Sequence, residues 1–385
     1  MDLIITHYKD KLISAYFDNA NKNRLIKMSV SSIQNLASNV GDIYLGRIKN
    51  IVKNINAAFV EIANGEICFL QFSDKTDIKK YHNEMDIVVQ VTTEAIKTKQ
   101  ATVTTNINLT GKFLIKTHKN EIAVSSKIKN VSKKKELISL LENEGATGFI
   151  IRTNAGDASA EDILKEYNYL NNLYNEVYKK AEHSLAHSLL YRLSFEECEV
   201  RDCYDNEIDR IITDDKSIFE NIKNYTAKTW PWLNEKISLY TDESFPLNAM
   251  YSLNTKIERA LSKKVWLDSG AYLIIEPTEA CTVIDVNTGK AVKKGKDKEK
   301  HFLEINKEAA KEAMLQISLR NLSGIILIDF IDMKEETSNE ELIKYLRTLA
   351  SCDSVKTTVV DMTALGLIEI TRKKMYKPLH EMIKL

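Results

Sequence analysis

A chain of 385 residues, 44% hydrophobic and 28% charged, has the length of two or three domains and enough apolar surface for a packed core. Its 54 Lys and Arg balance 54 Asp and Glu, so global charge points to no nucleic-acid partner and any basic surface must be local. Cys68, Cys198, Cys203, Cys281 and Cys352 form no CxxC pair and no Cys/His cluster at zinc spacing, which favours reduced thiols. No basic-then-apolar leader opens the sequence, and no run approaches the ~18 apolar residues of a membrane helix. Neither a signal peptide nor a membrane span is expected, and the default compartment is the cytoplasm.

Residues 1–35 open with the alternating runs LIITHY and KLISAYF, which read as a hairpin. Residues 41–106 read as short strands: DIYLGRIKNIV, AAFVEIA, EICFLQF, DIVVQVTT and QATVTTNI, parted by turn residues such as Asn54, Asn56, Asn64 and Gly65. Such a succession predicts a small β-barrel. Strands are expected to continue through 111–151, ending in ATGFIIRTNAG, followed by a long helix over about 159–187 with Leu, Tyr and Ala at helical spacing. Residues 198–262 are mixed. Lys-rich patches fall at 133–135 and 290–300, and with 12 Gly and 4 Pro no linker stands out.

The last part alternates. AYLIIEP and ACTVIDVNT read as strands, 303–319 as an amphipathic helix stopping near Gly324, and 339–349 as a second helix leading to KTTVVDMT. GIILIDFIDM is almost wholly apolar, as expected of a strand buried on both faces. The pattern is α/β.

Two features there carry chemistry. In TVIDVNT, Asp285 and Asn287 stand at i and i+2, on one face of a strand. In IILIDFIDM, Asp329 ends an apolar run, where a carboxylate is costly unless paired, hydrogen-bonded or bound to metal. Sites in open α/β sheets lie at strand carboxyl ends, and neighbouring strands are about 4.8 Å apart, so the two carboxylates can share one hard cation. Mg²⁺ fits best, since it takes oxygen ligands and often needs only one or two carboxylates. It would polarise a phosphodiester and activate water. Asn287 would orient a ligand or the phosphate. Asp332, three residues past Asp329, faces the other way on a regular strand and ranks below it. The same aspartates also suit turn or helix caps, and on residues alone the two readings stand level. The 290–300 loop carries six Lys against one Asp and one Glu; it reads either as a holder of RNA backbone or as a solvated loop.

LDSGAYLIIEPTEACTVIDVNTGKA followed by NLSGIILIDFIDM resembles the catalytic core of the ribonuclease E/G family. Upstream, GDIYLGRIKNIVKNINAAFVEIANGEICFLQFSD resembles that family's S1 domain, ATGFIIRTNAG its 5′-sensor strand, and ISLYTDESFPLNAMYSLNTKIERAL the segment entering its catalytic domain. The resemblance implies an α+β multidomain fold in which an OB-fold S1 barrel (37–115) is inserted in an RNase H-like subdomain (1–36 and 198–260). A 5′-sensor subdomain (116–197) and a C-terminal α/β, DNase I-like catalytic domain (261–385) complete it. It implies hydrolysis of single-stranded, A/U-rich RNA to 5′-phosphate and 3′-hydroxyl ends, in RNA processing and decay. Asp285 and Asp329 match the family's Mg²⁺ ligands, with Mn²⁺ as a substitute, and Asn287 the polar residue beside them. Phe59 and Phe69 match RNA-holding aromatics and Lys99 a basic contact; the alternative for both Phe residues is barrel core. Arg152 and Thr153 match a pocket for a 5′-monophosphate, a job that suits the planar guanidinium fork. A surface ion pair is the alternative for Arg152, and the family's accompanying Gly-rich segment is not evident in EIAVSSK at 121–127. Family members commonly continue into a CPxC zinc link joining two protomers. The sequence stops at Leu385 before such a motif, so no structural zinc is expected and any oligomer would not use that link. A catalytically silent S1-type RNA-binding protein is the competing reading.

Overall fold

The computed structural model describes the chain except residues 22, 33–37, 73–76, 96–98, 204–207, 291–297, 376 and 384–385 and the side chains of 32 and 77. Two compact units emerge, residues 1–14 with 31–241, and residues 15–30 with 242–385.

The chain starts with β1 (Asp2–Tyr8), β2 (Lys11–Asp18) and β3 (Arg24–Ser32). The expected hairpin is β1 beside β2; the third strand, RLIKMSVSS, alternates too weakly to be legible in the sequence. Five strands follow: β4 (Ile43–Val52), β5 (Ala57–Glu61), β6 (Ile67–Gln71), β7 (Asp86–Thr93) and β8 (Thr102–Thr104). They run in the order β4-β5-β6-β8-β7, and β7 pairs back onto β4, so the sheet closes into the expected barrel. Ile48, Val60, Leu70, Val89 and Val103 fill its interior. Closure removes the sheet edges that would otherwise invite pairing with another chain.

Next come β9 (Leu109–Thr110), β10 (Leu114–Lys116), β11 (Ile122–Val124), α1 (Val131–Asn143) and β12 (Phe149–Ile151). The four strands form a sheet in the order β11-β12-β10-β9. The helix α1 corrects the all-strand expectation for 111–151. Its Lys-rich first turn hides the start, but Asn130 caps it by accepting from the Lys133 N–H at 3.1 Å, and Leu137 and Leu141 are its buried stripe.

The long helix α2 (Ala160–Glu182) is capped by Ser159 and ends earlier than expected. Its Glu166 is fully buried and accepts the N–H groups of Lys112, Phe113 and Leu114 at 2.6–2.7 Å and the indole N–H of Trp230 at 3.1 Å. That clamp pins α2 to β10, and a side chain at Gly111 would collide with the Glu166 carboxylate. The unit finishes with β13 (Leu189–Tyr191), α3 (Phe195–Arg201), β14 (Arg210–Thr213), α4 (Lys216–Thr229) and β15 (Ile237–Leu239). β1 pairs parallel with β14, and β14 with β15.

In the second unit, α5 (Leu247–Met250) and α6 (Leu253–Leu261) precede β16 (Lys264–Trp266), β17 (Tyr272–Pro277), β18 (Cys281–Asn287), α7 (Lys298–Leu319), β19 (Gly324–Asp329), α8 (Glu336–Cys352), β20 (Thr357–Met362), β21 (Leu367–Arg372) and α9 (Leu379–Met382). The six strands run β16-β17-β18-β19-β21-β20, with β18 and β19 the parallel pair and the other neighbours antiparallel. Alternate residues Leu273, Ile275, Ile284, Val286, Ile326, Ile328, Ile368 and Ile370 are buried with α7 and α8 residues in one core. Ala309, Ala310 and Ala313 let α7 lie close to the sheet.

The opposite face is open. Along β19, Ile326 and Ile328 are buried, but Ile325 is 52% exposed and Asp329 is exposed. The strand is therefore not buried on both faces as its apolar run implies, and the domain is a two-layer mixed sheet rather than a doubly covered α/β sheet. Isoleucine spends apolar surface on both faces here, so composition misleads where period-2 burial decides.

Candidate active site

The crossover helix α7 returns the chain so that β18 and β19 pair in parallel, with Asp285 directly opposite Asp329. Both side chains lie on the open face, because Ile284, Val286 and Ile328 take the covered one. Asn287 shares that face and donates from Nδ2 to Asp285 Oδ2 at 2.7 Å. The strand-end pairing read from sequence is thus present. Among the described residues no Lys or Arg forms an ion pair with either carboxylate.

Asp329 is held above the ordinary carboxylate value of 3.8, by partial desolvation first, then by the charges of Asp285 and Asp332. Asp332 is therefore part of the acidic site, contrary to its expected placement facing away. The physical reason is that β19 stops at Asp329, so strand alternation does not reach Asp332. A buried side chain fixes this segment: Asn306 of α7 accepts from the Ile331 N–H at 3.0 Å and donates to the Ile331 carbonyl at 2.8 Å. Sequence reasoning missed Asn306, although an amide in register with Ala310 and Ala313 on the buried side of α7 is a signal. Across from Asp332, the β20–β21 turn closes with Gly366 at φ +84°.

Two carboxylates and an amide on one exposed patch, unneutralised by any described cation, make a donor set suited to a hard divalent ion that keeps water in its remaining positions. Among the described residues no group of three or more His, Cys, Asp or Glu has metal-holding geometry, so the site is built on a pair rather than a closed cage. The 290–300 Lys-rich loop follows β18, but residues 291–297 lie outside the described residues.

On the barrel, Phe59 and Phe69 are cross-strand partners with ring centroids 6.0 Å apart, edge to face. The interior positions beside them are Ala58, Val60, Cys68 and Leu70. Both Phe residues are thus on the outer wall, half-buried, and not barrel core. Lys99 is exposed on the segment entering β8, which pairs with β6 through Phe69 and Thr102.

Thr153 follows the end of β12, where its hydroxyl lies 2.9 Å from Ser125 Oγ. Ser125 belongs to the EIAVSSK segment, so β11 and β12, running in parallel, bring together two hydroxyls that the sequence kept apart. Arg152 bonds the Gly111 carbonyl and sits 3.3 Å from Asp202, which also pairs with Arg201. The ion-pair alternative for Arg152 is present, with part of its five-donor fork left over.

A closed barrel with aromatics on its outer wall and an open-faced sheet with paired carboxylates define a multidomain α+β protein with an OB-like barrel and an acidic site. The sequence profile of the Ribonuclease E/G family matches residues 108–375. Ribonuclease G of Salmonella typhimurium (strain SL1344) is 32% identical over 357 residues, 87% of this chain and 73% of that protein. Ribonuclease G of Haemophilus influenzae is 33% identical over 366 residues, covering 89% and 74%. Ribonuclease E of Nostoc sp. is 30% identical over 361 residues, covering 89% of this chain and 52% of that protein. The chain belongs to the Ribonuclease E/G family. None of its described helices is long and apolar enough to cross a membrane.

Proposed function

We propose that this protein is a Mg²⁺-dependent endoribonuclease acting in RNA processing and decay, cleaving single-stranded, A/U-rich RNA to 5′-phosphate and 3′-hydroxyl ends. The observation that carries the reading is the direct opposition of Asp285 and Asp329 on an open sheet face in a member of this family. Asp285 and Asp329 would hold the ion, and Mn²⁺ would substitute. When bound, the ion supplies Lewis-acid stabilisation of charge developing on the phosphate.

The chain's own residues do the rest. Asn287 fixes the orientation of the Asp285 carboxylate by its hydrogen bond, so that less reorganisation is needed during reaction. Asp332 adds negative charge beside Asp329, which strengthens the draw on a cation. Asn306 holds the Ile331 peptide and with it the spacing of Asp329 and Asp332.

The barrel, read as an S1 domain, would hold bases on Phe59 and Phe69 and phosphate on Lys99. Arg152 and Thr153, with Ser125, would read a 5′-monophosphate. The subdomain names follow the same proposal: RNase H-like for 1–36 and 198–260, S1 for 37–115, 5′-sensor for 116–197 and DNase I-like for 261–385.

The test is cleavage of an internally labelled, 5′-monophosphorylated RNA with Mg²⁺, scored for internal cuts and 3′-hydroxyl ends. Binding without any cut would leave a silent RNA-binding protein. A 5′-hydroxyl RNA cut as fast as the monophosphate would remove the sensor role of Arg152.

A further inference from the structure

The open face that bears the carboxylates continues onto β17 and β16. Register fixes what stands there. Asp285 lies opposite Ile274, and Ile274 opposite Lys264; Asn287 lies opposite Tyr272, and Tyr272 opposite Trp266. Paired residues share a face, so Lys264, Trp266 and Tyr272 occupy the same side of the sheet as Asp285 and Asn287. Two strand spacings, about 10 Å, separate the Lys264 row from Asp285.

These three side chains form one group. The Trp266 and Tyr272 rings are 5.1 Å apart, and the Lys264 ammonium is 4.0 Å from one centroid and 3.6 Å from the other. Gly289, at φ +53°, brings the backbone after β18 against the Tyr272 ring edge; a Cβ there would meet the ring at 3.2 Å and the Gly270 carbonyl at 2.4 Å. Tyr272 is thereby held in place. Even with both of these contacts, Trp266 remains 59% exposed, enough to leave a large part of the indole to a ligand.

An indole left in water on the same sheet face as an acidic site offers a ring to a ligand, and a cation held at that ring adds a second recognition element. An indole face takes a nucleobase without sequence preference, and an ammonium takes a phosphate. We propose that Trp266, backed by Tyr272 and Lys264, is a stacking subsite for one RNA base flanking the scissile phosphate. Trp266 is a positioning residue: it holds the strand in register over the carboxylates. The inference rests on the ribonuclease reading above and deepens it by naming how the strand is seated.

The experiment uses the full chain and a 5′-monophosphorylated single-stranded RNA with one dominant cut, together with copies carrying one abasic nucleotide at successive positions around that cut. Single-turnover rates are compared for wild type, Trp266→Ala and Trp266→Phe. Trp266→Ala is expected to slow cleavage of the intact RNA about 5- to 100-fold, the effect of one lost stack, with Trp266→Phe retaining most of the rate. At one flanking position the abasic RNA should slow wild type by a similar factor and slow Trp266→Ala no further. Equal rates for wild type and Trp266→Ala, or abasic effects that are identical in both at every position, would overturn the subsite. Affinity for the same RNAs, measured in the Asp329→Asn background with and without Trp266→Ala, decides the stacking independently of turnover. A wild type that cuts no RNA counts against the ribonuclease reading, and the binding comparison then still upholds or rejects the subsite.

Discussion

Asp285 and Asp329 occupy the same register position on adjacent parallel strands, and both turn away from the helices that cover the other face of the sheet. Two like charges so placed repel, and Asp329 shows it by holding its proton more tightly than a free carboxylate, through burial and then through Asp285 and Asp332. A divalent cation held between the two carboxylates, as proposed above, would offset that repulsion.

The pH dependence of metal binding follows. A carboxylate whose folded pKa is raised costs stability above that pKa, and the cost fades as pH falls through the folded pKa toward the unfolded value near 3.8. Mg²⁺ competes with the same proton. The rise in Tm on adding Mg²⁺ should therefore be small at about pH 4 and grow toward about pH 7, and Asp329→Asn should flatten it. Thermal melts with and without Mg²⁺ across that range check this. A Mg²⁺ effect independent of pH, or unchanged in the variant, would count against a metal at Asp329.

On the barrel wall, Phe59→Ala and Phe69→Ala should each weaken single-stranded RNA binding by about 1–3 kcal/mol. Because the interior is filled by Val60, Leu70 and their neighbours, the barrel should stay folded. Fluorescence anisotropy beside circular dichroism melts separates the two effects. Unchanged affinity with a large fall in Tm would mean the rings serve packing alone.

Asn306→Leu removes both hydrogen bonds to the Ile331 peptide. Two partly buried backbone groups lose their side-chain partner, at up to roughly 1–3 kcal/mol each. The carboxylate segment also loosens, and misplacement on the order of 1 Å can cost about 10²-fold in rate. A fall in kcat with KM little changed is the expected signature; a loss of stability with kcat intact would confine Asn306 to a structural role.

Much of this was legible in the sequence. Short apolar strand runs marked the barrel strands, Asn/Gly turns marked their first two connections, and i,i+2 spacing put Asp285 and Asn287 on one face. What escaped depends on long-range pairing. The apolar run of β19 cannot say that Ile325 faces water, since that is decided by which face α7 and α8 cover. Asp332 was misplaced because the strand ends before it. Ser125 meets Thr153 through parallel pairing of β11 with β12, a contact no local pattern announces. Trp266 and Tyr272 stand apart in the sequence and become a unit through the β16–β17 register.

The central claim is tested most directly by single-turnover cleavage of a 5′-monophosphorylated single-stranded RNA in Mg²⁺ by wild type, Asp285→Asn and Asp329→Asn, with RNA affinity measured in parallel. The account predicts internal cleavage by wild type and a loss of at least about 10²–10³ in rate for each variant, with affinity retained. RNA bound equally by all three proteins and cut at the same rate by the variants as by wild type, or cut by none, would contradict it.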